Sequence, residues 1–204
     1  MIINEVVFDL ETKKLFADIT THNPGDLGVS IVSCYQRTLN QNLEEQRGQM
    51  LSFWEKDLDQ LWPVLSGADR IIGFNSLKFD VPALQPYTKI SLSSLPHFDI
   101  LAKIKLALGR RISLNDLAQA NLKEKKIDVG LNAVKYYYQG NPESLKKLQE
   151  YCEADVLITK NIYDLVLRGR KLKIPDRRKK TISYLKLDFS YPKSFFTVSQ
   201  KKLF

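Results

Sequence analysis

Val6-Val7-Phe8-Asp9-Leu10-Glu11 sets two carboxylates two residues apart inside an apolar run. The run is short and rich in β-branched and aromatic residues, so it reads as a buried strand over residues 2–10. Side chains alternate faces along a strand, which points Asp9 and Glu11 the same way with Val7 beside them. A buried carboxylate without a partner costs several kcal/mol, and two side by side repel each other. Something positive is therefore expected there. Three answers are open: a Lys or Arg from elsewhere, a shared proton, or a divalent cation taking oxygen ligands.

The chain downstream reads as strands first and helices afterwards. After a polar, turn-rich loop over residues 12–26, Leu27 to Tyr35 alternates apolar and small residues as a second strand. A third, weaker strand fits Arg47 to Phe53, and short turns between the three suggest an antiparallel meander. Trp54, Leu58, Leu61, Trp62 and Leu65 recur at helical spacing, with Gly67 as the stop. Asp69 to Phe74 reads as a short buried strand, followed by a helical segment from Phe79 to Leu84 and a Pro-bearing loop to Pro96. Asp99 caps a helix over Ile100 to Leu108, ended by Gly109, and Ser113 with Asp116 starts another over Leu114 to Leu122. A short helix with three consecutive tyrosines, Leu131 to Tyr138, precedes a long one from Glu143 to Leu167. Beyond it, Lys173 to Pro175 and Thr181 to Phe189 read as a terminal hairpin. The order predicts an α/β fold with a mixed sheet of about five strands, covered by helices. It also predicts two parts, a domain over residues 1–167 and a basic extension over residues 168–204.

Charge sharpens that division. The 204 residues carry a net charge of +8, with 44% hydrophobic and 26% charged residues, ordinary values for a globular chain. Twelve of the 31 basic residues lie from Arg168 onward against only Asp176 and Asp188, a local balance of +10. The remaining 19 basic and 21 acidic residues leave the body at −2. A near-neutral body with a basic end points to a polyanion partner, nucleic acid foremost. Apolar runs are far shorter than a membrane span and no signal peptide is visible, so a cytoplasmic protein with no membrane role is expected. Cys34 and Cys152 are too few for a disulfide framework and are expected to stay reduced. With only His22 and His97, both read as loop or surface residues, a His-rich zinc site is nearly excluded.

Two further segments carry acids. In Asn75-Ser76-Leu77-Lys78-Phe79-Asp80, the aspartate follows the end of a buried strand. In Tyr151-Cys152-Glu153-Ala154-Asp155, a phenol and a carboxylate stand one helical step apart on one face. Each has a plain structural explanation. Asp80 suits a helix start, Asp155 a solvent-facing position, and Tyr151 a half-buried packing site. Taken in order with Asp9-x-Glu11, the set resembles the three exonuclease motifs of the DEDD superfamily, whose fold is ribonuclease H-like. The resemblance covers roughly Val6 to Asp155. Its Tyr-x-x-x-Asp form is similar to the branch found in the proofreading exonuclease domain of family B DNA polymerases and stand-alone relatives. The branch with a histidine before the last aspartate does not fit, because no histidine follows His97.

The resemblance implies a 3′-to-5′ exonuclease that hydrolyses phosphodiesters at single-stranded ends, DNA favoured over RNA, with two Mg²⁺ or Mn²⁺ ions. It implies that Asp9 bridges both ions, that Glu11 and Asp155 hold one, and that Asp80 helps hold the other, largely through waters. Tyr151 would orient or help deprotonate the attacking water, and Asn75 would touch the substrate or fix its own turn. Lys78 is a candidate phosphate contact. Phe79 is a substrate candidate for which, as for Phe74, core packing is the commoner fate. Tyr136, Tyr137, Tyr138, Tyr184 and Tyr191 are candidates for stacking on bases. Gln200, Leu203 and Phe204 resemble the short peptide with which bacterial replication proteins dock on a sliding clamp. The length leaves no room for a polymerase domain, so an exonuclease module alone is expected. The competing classes are a catalytically silent binding module of the same fold and a structure-specific endonuclease.

Overall fold

The computed structural model describes residues 2–123, 130–176, 180–192 and 195–196. Five strands form one mixed sheet: β1 (Ile3–Thr12), β2 (Val29–Leu39), β3 (Glu45–Trp54), β4 (Arg70–Gly73) and β5 (His97–Asp99). Their order is β3-β2-β1-β4-β5. The pairs β1–β2 and β2–β3 are antiparallel, while β1–β4 and β4–β5 are parallel. The helices are α1 (Leu61–Ser66), α2 (Asp80–Leu84), α3 (Ile100–Leu108), α4 (Leu114–Asn121), α5 (Gly130–Gln139) and α6 (Pro142–Leu167). A separate hairpin joins β6 (Leu172–Asp176) to β7 (Thr181–Leu185). Among the described residues, no helix is long and apolar enough to cross a membrane.

Strict alternation along β1 sorts its side chains between two cores. Val6, Phe8 and Leu10 pack with Leu61 and Leu65 of α1 and with Val81 and Leu84 of α2. Val7 faces the other way, into a cluster with Ile104 of α3, Leu117 of α4 and Val156 of α6. β4 divides likewise, Ile71 to the first core and Ile72 to the second. Each fully buried aliphatic of this kind contributes about 1.5–3 kcal/mol, which is why the register of a central strand cannot slip.

The helix α6 runs antiparallel to β1 across the odd-numbered face. Asn141 caps it by accepting from Ser144 N at 2.9 Å, and Pro142 occupies its first turn. Its alignment is pinned at the far end, where Tyr163 donates to Glu5 Oε1 at 2.8 Å. Four strand residues from Glu5 to Asp9 span about 13 Å and eight helical residues from Tyr163 to Asp155 about 12 Å. Once Tyr163 lies on Glu5, Asp155 therefore lies on Asp9.

That pin belongs to a buried polar network. Arg37 Nε and Nη2 lie 2.9 and 2.7 Å from Glu5 Oε2, and the same guanidinium grips Asp164 of α6 at 2.7 and 3.1 Å. Lys160 and Glu45 complete it, each ion-paired within the group. Tyr191 donates to Glu5 Oε1 at 2.7 Å, and Phe189 packs between Phe98 and Tyr163. The segment after α6 is thus tied to the body by Leu172, Ile174, Phe189 and Tyr191, all buried.

Three expectations need correction. Residues 55–60 form a 3-10 turn and the α-helix starts only at Leu61. Pro63 has no N–H to give the carbonyl four residues back, so a continuous helix cannot include that turn. A fifth strand occupies His97–Asp99, where sequence patterning suggested a loop followed by a cap. Three residues are too few for a period to register. His97 is half-buried in it, with Nε2 bonded to the Leu92 carbonyl at 2.9 Å, and is not a free surface histidine.

A carboxylate-lined cavity at the end of the central strands

The site lies where the parallel strands stop. β1 and β4 pair from Glu5–Arg70 to Val7–Ile72, and β4 ends at Gly73 while β1 continues to Thr12. Asp9 and Glu11 therefore project from a part of β1 that has lost its neighbour on the β4 side. The chain leaving β4 turns back across this gap. Gly73 permits the turn, since a Cβ there would sit 2.5 Å from the Ser76 side chain. Asn75 takes a left-handed backbone (φ 68°), a conformation that asparagine tolerates better than most residues.

Asp99, at the end of β5, holds the turn in place. Its Oδ1 accepts from Asn75 N at 3.0 Å and from Ala102 N at 3.0 Å, and its Oδ2 accepts from Leu77 N at 3.1 Å. The helix cap and a supporting place beside the site were both legible for Asp99 in sequence; which backbone groups it holds there depends on β5 lying beside β4. The turn then delivers Asp80 as the first residue of α2, only 3% exposed. Burial pushes the Asp80 carboxyl up to about 7, with the Asp99 charge adding and backbone N–H groups of Asp80 and Leu10 opposing.

From the opposite side, α6 contributes Tyr151 and Asp155, 4% and 3% exposed. The solvent-facing and half-buried positions that patterning allowed for them are excluded. Ligand oxygens of Asp9, Glu11 and Asp155 all lie within 4.8 Å of one another. Two oxygens on one Mg²⁺ stand at most about 4.2 Å apart at bond lengths near 2.1 Å, so small side-chain rotations bring the three onto a common ion. All are hard oxygen donors, which suits Mg²⁺ or Mn²⁺. Asp80 is outside this tight group but lines the same cavity, of about 280 Å³. Tyr151 hydrogen-bonds Asp155, and its phenol is pushed far above its ordinary value by burial, then by the charges of Asp155, Glu11 and Asp9. The Cys152 thiol, buried and raised well above its usual value by burial, donates to the Asp9 carbonyl at 3.5 Å.

Other residues singled out in the sequence separate cleanly. Asn75, Phe74 and Phe79 line the cavity. Phe79 also packs against the α1–α2 core and edge-on to Phe16 at 6.0 Å. Lys78 is exposed on the turn. Tyr136 and Tyr137 are half-buried against Ile31 and Cys152, and Tyr191 is buried with its hydroxyl on Glu5, so it is not available to stack on a base. Tyr138 and Tyr184 are 66% and 65% exposed. Gln200, Leu203 and Phe204 lie outside the described residues. The sequence carried no signal for Arg111, which donates to Asn75 Oδ1 at 3.1 Å on the rim of the cavity. Leu15 and Val134, which also line it, were equally silent.

No curated protein matches the chain at significant similarity. Among solved structures, the family B DNA polymerase from the hyperthermophilic archaeon Pyrobaculum calidifontis superposes with a TM-score of 0.55 at 17% identity. The match covers 81% of this chain and 24% of the polymerase, so the chain corresponds to about a quarter of that protein's length. A family model of the RNase_H superfamily matches residues 6–167, which takes in all of the sheet but the first three residues of β1, every cavity acid and the whole of α6. The chain therefore belongs to the ribonuclease H superfamily.

Proposed function

We propose that the protein is a 3′-to-5′ exonuclease of the DEDD type, Tyr-bearing branch, acting on single-stranded ends with two divalent cations. The observation that carries this is the convergence of Asp9, Glu11 and Asp155 within 4.8 Å, in a cavity that Asp80 and Tyr151 also line. When bound, two hard cations supply positive charge to activate water and to stabilise the leaving oxygen. Asp9, Glu11 and Asp155 would hold one, and Asp9 with Asp80 the other. Tyr151 keeps its proton in this surrounding of acids, which suits it to orient the attacking water by donating or accepting a hydrogen bond. Asn75, held by Asp99 and Arg111, would meet the substrate strand at the rim. Structural likeness to a family B DNA polymerase and the basic C-terminal segment support nucleic acid as the substrate.

The decisive assay incubates the protein with a 5′-labelled single strand and Mg²⁺ or Mn²⁺, on matched DNA and RNA. A ladder of products shortened from the 3′ end is the expected result. A single internal cut would point to an endonuclease, and retained binding with no cleavage to a silent module; either overturns the proposal.

A further inference from the structure

The outer face of the β6–β7 hairpin takes no part in the core or in the acid-lined cavity. Its register sets Lys173 opposite Tyr184 and Pro175 opposite Ile182. The other face holds the fully buried Leu172 and Ile174, so Tyr184 and Ile182 point away from the body, 65% and 56% exposed. Lys171, Lys173, Lys180 and Lys186 are exposed around them. An aromatic ring and an aliphatic side chain left in water among lysines suit a ligand with flat apolar faces and regular negative charge. Single-stranded nucleic acid offers both, bases for the ring and phosphates for the ammonium groups. A duplex hides the base faces that Tyr184 would stack on.

Position supports the same partner. Arg110 donates to the Pro175 carbonyl of the hairpin at 3.2 Å, and the next residue, Arg111, donates to Asn75 on the cavity rim at 3.1 Å. Only two arginine side chains and one peptide unit separate the hairpin from the site. The segment from Arg168 onward carries a balance of +10 against −2 for the rest, the complement of a polyanion.

We infer that the outer face of the hairpin, continued by Arg110 and Arg111, is a track for single-stranded nucleic acid whose end enters the acid-lined cavity. Tyr184 stacks on a base several nucleotides from that end, and the flanking lysines hold phosphates. The direction of the strand rests on the exonuclease reading; the binding itself does not.

The test is anisotropy of a fluorescent oligothymidylate titrated with the full chain in EDTA over a series of salt concentrations. Tyr184→Ala should weaken binding about tenfold, within the range for loss of one stacking aromatic, and Tyr184→Phe should retain affinity. Lys173→Glu with Lys186→Glu should lower the slope of log affinity against log salt by about 0.7 for each lysine. All three positions are exposed, and unchanged melting temperatures would verify folding. With Mn²⁺ present, Tyr184→Ala should raise KM for a long strand and leave kcat on a trinucleotide, too short to reach the hairpin, unchanged. Unaltered affinity in both variants overturns the track even if the wild type degrades DNA. Loss in the lysine variant alone also overturns it, since that pattern marks diffuse charge without stacking. A wild type that cleaves nothing yet loses binding in both variants defeats the exonuclease reading and leaves the track standing.

Discussion

The two ends of β1 carry acids on the same face and treat them in opposite ways. At one end Glu5 is fully buried and accepts from Arg37, Tyr163 and Tyr191, so its charge and its lone pairs are met within the fold. At the other, Asp9 and Glu11 meet a third carboxylate, Asp155, within 4.8 Å, and a buried Asp80 lines the same cavity. The first arrangement is what a buried acid needs to stabilise a fold. The second concentrates negative charge beside a cavity, which is unfavourable for folding and suited to capturing cations. One helix, α6, serves both: Tyr163 and Asp164 at the Glu5 end fix the axial position at which Tyr151 and Asp155 reach the other. Stability at one end is thus the means of positioning at the other.

The largest contrast should come from removing an acid at the cavity. Asp9→Ala with Glu11→Ala should reduce nuclease turnover on the order of a thousandfold or more, beyond the loss of a single charge-stabilising donor. The same variant should stay folded without metal, as circular dichroism would check. Survival of activity in a single-turnover assay would break the assignment. At the other end the effect should fall on stability. Arg37→Ala leaves Glu5 and Asp164 buried without their guanidinium and should cost about 3–5 kcal/mol by urea denaturation, with turnover per folded molecule retained.

Acidity should separate the ends as well. Asp80 is raised to about 7, chiefly by burial, so its contribution to stability is fully present below an ordinary aspartate value of about 3.9 and is lost as pH rises through about 7. Cation binding needs the ionised form. The gain in melting temperature on adding Mn²⁺ should therefore be larger at a pH of about 8 than at about 6. Asp164 is lowered by Arg37, and by Lys160 beside it, against the opposing effect of its burial. Its contribution is present above the ordinary carboxylate value and is lost only as pH falls through its depressed one. Calorimetry across this range should show the cation effect vanish on acidification well before the fold weakens from Asp164. Equal cation effects at both pH values would remove Asp80 from the metal site.

The smallest effect concerns the link between the two regions of the cavity. Asp99→Asn offers one acceptor oxygen where three backbone N–H groups now converge, and should cost about 1–2 kcal/mol. By removing the Asp99 charge it should also move the pH midpoint of the cation effect downward. An unshifted midpoint with reduced stability would confine Asp99 to a structural role.

Local pattern reached far in this chain. The alternation of Val6, Phe8 and Leu10 against Val7, Asp9 and Glu11 specifies a central strand with its acids on one face, and β1 has that form. The caps at Ser113 and Asp99 are written in residue type and spacing, and both side chains accept the backbone N–H expected of them. Asp9 and Glu11 stood out as carboxylates inside an apolar run, and Asp80, Tyr151 and Asp155 through the resemblance of the three motifs, taken in order, to those of the DEDD exonucleases. What pattern could not supply was anything dependent on which elements become neighbours. β5 is too short to leave a period, and Arg111 beside Asn75 has no marker in the chain.

The sequence by itself determined the longer elements, the acids and the faces they occupy, because faces follow from periods of two and 3.6 residues that any reader of the chain can count. Only the tertiary structure decided that Asp155 meets Asp9 and Glu11, that Asp99 braces the Asn75 turn, and that Tyr191 is buried while Tyr184 is exposed. The first depends on how α6 is seated along β1, which is set by the Glu5–Arg37–Asp164 network, whose directly bonded pairs lie up to 127 residues apart in the chain, and the second on β5 lying beside β4. Spacing along a chain carries no record of such long-range charge pairing; burial of the pair in a low-dielectric interior is what selects it.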